Sequence, residues 1–224
     1  MNVKFRLTIM NFFQFFVWGA WLITVANYWF GTKNWDGAQF GAIFSTMGIA
    51  SIFMPTLCGI VADRWINAEK LYGALHILGG LTLMSVPQVS NPSDFFWVIL
   101  VAMIFYMPTI ALSNSIAYNA LKTANFDVVK DFPPIRVWGT IGFIVAMWVT
   151  NFFTKDWGLG QSIKVSFVIS AVLAVALSLF SFFFLPAVTN EKSKKTNQKQ
   201  TLVQKLGLEA FVLFKQKKMA LFFL

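Results

Sequence analysis

Six apolar runs, joined by short polar connections, constrain the fold of this 224-residue chain more than any other feature. A helix of about 20 mostly apolar residues crosses the hydrocarbon core of a bilayer, because that core is about 30 Å thick and a helix rises about 1.5 Å per residue. Most connections are too short to hold a soluble domain, and they make neighbouring helices antiparallel. The sequence therefore predicts an all-α, polytopic membrane helix bundle with spans at 7–30, 38–62, 71–89, 95–118, 136–154 and 163–186.

The composition excludes several classes of protein. Hydrophobic residues make up 57% of the chain and charged residues 12%, whereas soluble domains are about 45–50% apolar and about 25% charged. With one cysteine, no internal disulfide is expected. Phosphate-loop, zinc-protease and serine-hydrolase motifs do not occur in the sequence, and we expect no cofactor, no metal and no enzyme activity. What remains favours a secondary transporter, whose binding groups line a central cavity.

The basic residues are distributed unequally between the two ends of the predicted helices. Of 18 Lys and Arg residues, 14 fall on the side that holds the N-terminus, 3 fall on the other side, and Arg136 lies within a span. Under the positive-inside rule this asymmetry predicts a cytoplasmic N-terminus. The net charge of +9 then belongs to cytoplasmic loops, and it requires no nucleic-acid partner.

The chain divides into three predicted regions. Residues 1–186 form the six-helix bundle, and 187–218 form a basic cytoplasmic linker with a short amphipathic helix. That helix either lies on the membrane surface or docks on the bundle. Residues 219–224 begin a seventh apolar run, and we expect the chain to be incomplete because it stops inside that run.

Polar residues on the first helix are candidates for binding a solute. Asn11, Gln14, Trp18 and Trp21 are spaced by three, four and three residues, which places them on one helical face. An amide and an indole together suit a polar solute that contains a ring. The alternative is that these residues join helices and anchor the membrane interface.

The fourth helix contributes a second pair of candidates. Asn114 and Tyr118 are four residues apart and share a face, and Pro108 is expected to kink the same helix.

The segment from Asp131 to Phe143 carries the strongest signal. With Asp131 as N-cap, the helix begins near residue 132, and Arg136 lies about one turn inside it. An arginine within a span costs roughly 2.5–3.5 kcal/mol on insertion scales, which suggests a function. Arg136, Thr140 and Phe143 are spaced by four and three residues and form one stripe. The alternative is that Arg136 extends to the cytoplasmic headgroups.

Two motifs resemble those of the major facilitator superfamily. Gly59-x-x-x-Asp63-Arg64 resembles the first half of its loop signature, a gating and structural motif, although the usual basic continuation is absent here. Arg136-x-Trp138-Gly139-x-x-Gly142-Phe143 resembles helix 5 of its sugar:proton symporters. In that family the arginine binds the substrate.

The chain as a whole resembles the bacterial NupG-type nucleoside permeases, which are nucleoside:proton symporters. The resemblance is most specific over 131–148. It implies a transporter of two six-helix halves that imports nucleosides with protons across the inner membrane by alternating access. The chain would then be the N-terminal half plus the start of helix 7. Its partners would be a nucleoside, protons, membrane lipid and the missing C-terminal half, and Arg136, Thr140 and Phe143 would face the nucleoside.

Two other functions remain open at this point. An oligosaccharide:proton symporter of the same superfamily would carry an acid on helix 4 that pairs with the arginine, where this chain has Asn114, Tyr118 and Asn119. A non-transporting membrane scaffold or polytopic enzyme would use Arg136 only to contact protein or headgroups.

Overall fold

A computed structural model of the chain describes residues 2–155 and 163–187, and the regular structure within these ranges is helical. The predicted linker and the final apolar run, at 188–224, lie outside the described residues. A π-helical segment follows α1, and short 3-10 turns precede α2 and follow α3. The α-helices are α1 (Val3–Leu22), α2 (Phe40–Arg64), α3 (Ala68–Ser85), α4 (Pro92–Thr123), α5 (Val128–Lys155) and α6 (Ile163–Phe184).

All six predicted helices occur, but one of them is less apolar than the other five. Five helical segments are long and apolar enough to cross a membrane: Val3–Thr32, Gly37–Arg64, Pro92–Thr123, Val128–Phe152 and Lys164–Phe184. The exception is α3, which has 18 residues and begins with Glu69 and Lys70. It ends at Ser85 rather than at 89, because Pro87 has no amide hydrogen to continue the α-helical bonding.

Contacts at the two ends of the bundle show that successive helices alternate in direction. At one end, the Lys4 ammonium at the start of α1 pairs with the Asp131 carboxylate in the first turn of α5, at 2.8 Å. Arg6 donates a hydrogen bond there to the carbonyl of Phe184, the last residue of α6 (3.1 Å). The prediction of antiparallel neighbours is therefore confirmed for these helices.

The opposite end is closed by aromatic rings and one lysine. Trp29, in the π-helical segment, lies 4.7 Å from Trp35 and 5.5 Å from Phe95 at the start of α4, centroid to centroid. Lys33 donates a hydrogen bond to the carbonyl of Val89, which follows α3. The ends of α1 and α3 and the start of α4 thus meet at this end.

Glycines bring α1 and α5 into backbone contact. A Cβ atom built on Gly142 would lie 2.1 Å from the carbonyl oxygen of Phe12, and one built on Gly19 would lie 2.9 Å from the carbonyl oxygen of Phe143. Only glycine permits such an approach, as in other close contacts between membrane helices. This contact fixes the position of α5, and of the arginine it carries, against α1.

The N-terminus of α5 differs from the sequence prediction. The Asp127 carboxylate accepts hydrogen bonds from two backbone amides of the first turn, at 3.0 and 3.3 Å, so α5 begins at Val128. The prediction that Asp131 caps the helix was wrong, because its carboxylate pairs with Lys4 instead. Arg136 consequently lies about two turns inside the helix rather than one.

Candidate solute-binding site

Arg136 lies in the contact between α5 and α1. Its guanidinium carbon is 4.0 Å from the centroid of the Phe15 ring, which is a cation–π contact. Gly139 leaves the space for this stacking, since a Cβ atom there would lie 2.6 Å from Phe15 Cδ2 and 2.7 Å from Arg136 Nη1. The guanidinium is therefore held against an aromatic ring of the neighbouring helix.

Three helices converge around the indole of Trp18 on α1. Its ring centroid lies 6.1 Å from that of Phe143 on α5, nearly edge to face, and 5.9 Å from that of Tyr106 on α4. Phe15 lies one turn before it, at 6.4 Å. The Nε1 atom of Trp18 is buried and has no hydrogen-bond partner among the described residues. A buried indole N–H is normally paired, so this donor is an unmet hydrogen-bonding group at the point where the three helices meet.

Gln14 is fully buried and connects α1 to α4. Its Nε2 donates to Thr109 Oγ1 at 2.8 Å, and its backbone carbonyl accepts a hydrogen bond from the Tyr106 hydroxyl at 2.7 Å. Its Oε1 has no partner within the described part of the chain. Asn11, one turn earlier, donates to the Leu7 carbonyl of its own helix (3.0 Å). One half of the Gln14 amide thus joins two helices, and the other half is an unused acceptor.

The remaining candidates lie at the edges of this region. Asn114 is half-buried, and its Oδ1 has no partner among the described residues. Tyr118 is more exposed, and its ring packs edge to face on Phe132 at 4.5 Å, one turn before Arg136. Thr140 is exposed on the surface of the bundle. The structure therefore brings Arg136 close to α1, whereas Thr140 meets no described helix as closely.

The loop motif lies at the end of α2. Gly59 occupies the last part of α2, where a Cβ atom would meet nothing within 4 Å, and Asp63 and Arg64 complete that helix with exposed side chains. Asn67 occupies the N-cap position of α3. Within 2–155 and 163–187, no group of three or more His, Cys, Asp or Glu residues is arranged to hold a metal ion.

Sequence reasoning missed Phe15. It is one of 26 phenylalanines, and nothing in its local spacing separates it from those that face lipid. Its position three residues before Trp18 was the one available signal, because that spacing places both rings on nearly the same side of α1.

Comparison with known proteins gives matches over all of the chain. The profile of the nucleoside H+ symporter family matches residues 1–224. The chain is 46% identical to the nucleoside permease NupG of Escherichia coli (strain K12), over 100% of this chain and 51% of the permease. It is 42% identical to the xanthosine permease of the same organism, with the same coverage. The chain therefore spans about half the length of the curated relatives it matches.

Two crystal structures of the nucleoside transporter NupG share this fold. One, of a single-residue variant, matches with a TM-score of 0.84 at 45% identity and covers 99% of this chain and 53% of that one. The other matches with a TM-score of 0.81 at 46% identity and covers 100% and 53%. The described helices thus have the architecture of the N-terminal half of that transporter.

Proposed function

The chain belongs to the nucleoside H+ symporter family, and from that premise we propose that it forms the N-terminal half of a secondary transporter that imports nucleosides together with protons. The supporting relatives are about twice as long as this chain. A second six-helix half completes the cavity in this proposal, and the two halves alternate in exposing it to either side. The observation that carries the proposal is the Arg136 guanidinium over the Phe15 ring, which lies 6.4 Å from the ring of Trp18 with its unpaired N–H, where α1, α4 and α5 converge.

The side chains of this region suit the chemistry of a nucleoside. A nucleoside combines a flat base with ribose hydroxyls. The rings of Trp18 and Phe143 offer faces and edges to the base. The planar guanidinium of Arg136 offers paired donors to hydroxyl or carbonyl oxygens. The unpaired amide oxygens of Gln14 and Asn114 offer acceptors for hydroxyl or amino groups.

Two further candidates take part at the edges. Thr140, on the exposed side of α5, offers a hydroxyl to the part of the nucleoside nearest the second half. Tyr118 closes the region below Arg136 through its contact with Phe132. Gly59, Asp63 and Arg64 act in gating at the end of α2, where the motif of the superfamily lies.

An oligosaccharide symporter is the less favoured alternative. Between Asp94, in its first turn, and Thr123, α4 carries no acid to pair with Arg136. The guanidinium is stacked on Phe15 instead. The amides, phenol and aromatic rings around that guanidinium suit the flat base of a nucleoside.

Uptake measurements test the proposed function. We expect the full-length protein, in cells lacking other nucleoside carriers, to accumulate labelled uridine and to stop when a protonophore removes the proton gradient. Residues 1–224 alone are expected not to concentrate uridine, because half a transporter encloses half a cavity. Uptake of labelled lactose in place of uridine would support the oligosaccharide alternative, and active uptake by residues 1–224 alone would refute the two-half arrangement.

The protein is a multi-pass membrane protein, and we propose that it lies in the bacterial inner membrane with its N-terminus in the cytoplasm. Exposed apolar side chains such as Ile52, Trp148 and Phe183 suit contact with lipid tails. The bundle end that carries Lys4 and Arg6 is the more basic one, which supports the orientation.

Single-cysteine labelling tests that orientation. With the free, buried Cys58 replaced, we expect Asp36→Cys and cysteines at 155–161 to react with an impermeant maleimide in intact cells. Thr123→Cys and cysteines at 192–199 should react only after the cells are opened. Asp36 and Thr123 are both exposed, so burial does not account for a difference between them. Labelling of Thr123→Cys from outside would invert the proposed topology.

A further inference from the structure

We propose that Phe15 is a positioning residue, whose ring holds the Arg136 guanidinium flat in the orientation that meets the nucleoside. The proposal rests on the proposed function, because it assigns a role to the group that holds a substrate-binding arginine. The distance of 4.0 Å between the guanidinium carbon and the ring centroid is well inside the limit of about 6 Å for a cation–π contact. Phe15 itself is buried, with 8% of its surface exposed.

The ring takes the place that a carboxylate would fill in an ion pair. The acid nearest to Arg136 along α5 is Asp131, and its carboxylate is engaged by Lys4 at 2.8 Å. The electron-rich face of Phe15 therefore supplies the negative potential that keeps the guanidinium in place without neutralising its donors.

Gly139 makes this arrangement possible and restricts it. A Cβ atom there would approach both Phe15 Cδ2 (2.6 Å) and Arg136 Nη1 (2.7 Å). The guanidinium and the ring thus share the space above a glycine, which limits the orientations open to the guanidinium. Trp18 and Phe143 line the same region, since the Trp18 ring lies 6.4 Å from that of Phe15 and 6.1 Å from that of Phe143.

A purely apolar packing role is the competing explanation for Phe15. Fluorination separates the two, because fluorine withdraws electron density from the ring face while changing the size of the ring very little. A packing role predicts no dependence on the number of fluorine atoms. A cation–π role predicts a stepwise loss of affinity as fluorine atoms are added.

The experiment places 4-fluoro-, 3,5-difluoro- and 3,4,5-trifluorophenylalanine at position 15 of the full-length protein. We expect the Kd for uridine to rise with each step, reaching about 5- to 30-fold with three fluorine atoms. The melting temperature without uridine should fall only slightly, because the contact is also present in the ligand-free protein. The same substitutions at Phe16 are the matched control, because Phe16 is similarly buried on α1 but faces other rings. There the Kd for uridine should not change with the number of fluorine atoms. In the Arg136→Ala background the series at position 15 should also be flat.

If the unmodified protein binds uridine normally and the Kd does not change with fluorination at position 15, the positioning role is overturned and the proposed function stays intact. Absence of uridine binding by the unmodified protein would instead refute the proposed function. In that case the contact between Arg136 and Phe15 can still be tested without any nucleoside. The rate at which phenylglyoxal modifies Arg136 is measured by mass spectrometry for each fluorinated protein. A rate that increases along the fluorine series supports it, and a constant rate overturns it.

Discussion

Replacement of Arg136 by lysine is expected to remove most nucleoside uptake at unchanged membrane abundance, although the positive charge is retained. Lysine presents a rotating point charge, whereas the guanidinium is a planar fork that stacks on Phe15 and directs several donors at once. A hydrogen bond from a charged group contributes about 1.5–3 kcal/mol, so its loss corresponds to a roughly 10- to 100-fold weaker interaction. Arg136→Ala is expected to lose at least as much.

The measurement is uptake and equilibrium binding of labelled uridine, normalised to protein in the membrane. Lys130→Ala is the matched control, because it removes an exposed cation from the first turn of the same helix and should transport normally. Near-normal transport by Arg136→Lys would favour the headgroup-contact explanation and would remove Arg136 from the site.

Substitutions of the other two residues of the stripe are expected to weaken nucleoside binding less than substitutions of Arg136. Thr140→Ala removes a neutral hydrogen bond, which contributes only about 0.5–1.5 kcal/mol. Phe143→Ala removes a ring that contacts Trp18, so it should weaken binding, and Phe143→Tyr should be milder.

Replacement of Gly142 by alanine is expected to destabilise the full-length protein. The added Cβ atom would meet the carbonyl oxygen of Phe12 at 2.1 Å and its carbonyl carbon at 2.8 Å. These are backbone atoms of a neighbouring helix, so no side chain can rotate away and α1 must separate from α5. Overpacking typically costs about 1–3 kcal/mol, which exceeds the gain of up to about 1 kcal/mol that alanine brings to a helix.

Gly79→Ala provides the matched control for this prediction. Gly79 is buried within α3, but a Cβ atom there would meet its nearest neighbour, Phe105, at an ordinary 3.6 Å. We expect Gly79→Ala to melt at or above the wild-type temperature in detergent, and Gly142→Ala to melt far below it or to be absent from the membrane. Equal melting temperatures for the two variants would show that α1 and α5 are not in backbone contact.

The existence and order of the helices followed from apolar run lengths, but their ends depended on tertiary contacts. Asp127 and Asp131 are both plausible N-caps, and local rules favoured Asp131 because two prolines follow it. Asp131 does not cap the helix because its carboxylate accepts a hydrogen bond from Lys4, which is 127 residues away in sequence. No pattern within a single helix contains that information.

The candidate site was predictable in part for the same reason. The spacing of Arg136, Thr140 and Phe143 along α5 follows from helix geometry alone. The partner of Arg136, by contrast, depends on which residue of α1 lies opposite, and this is set by the close contact at Gly142 and Gly19. Gln14 was predicted to lie on a polar face, but its bond to Thr109 required the register of α1 against α4.

The backbone contact between α1 and α5 also restricts how the protein can move during transport. Packed helices shift between discrete arrangements, and a contact with no intervening side chains leaves no room for sliding. In the proposed cycle, α1 and α5 therefore travel as one rigid body that carries Arg136, Phe15, Trp18 and Phe143 together. In that cycle we expect the part of the cavity wall formed by α1 and α5 to keep the same shape in the inward-facing and outward-facing states. We then expect differences in nucleoside affinity between those two states to originate outside this pair of helices.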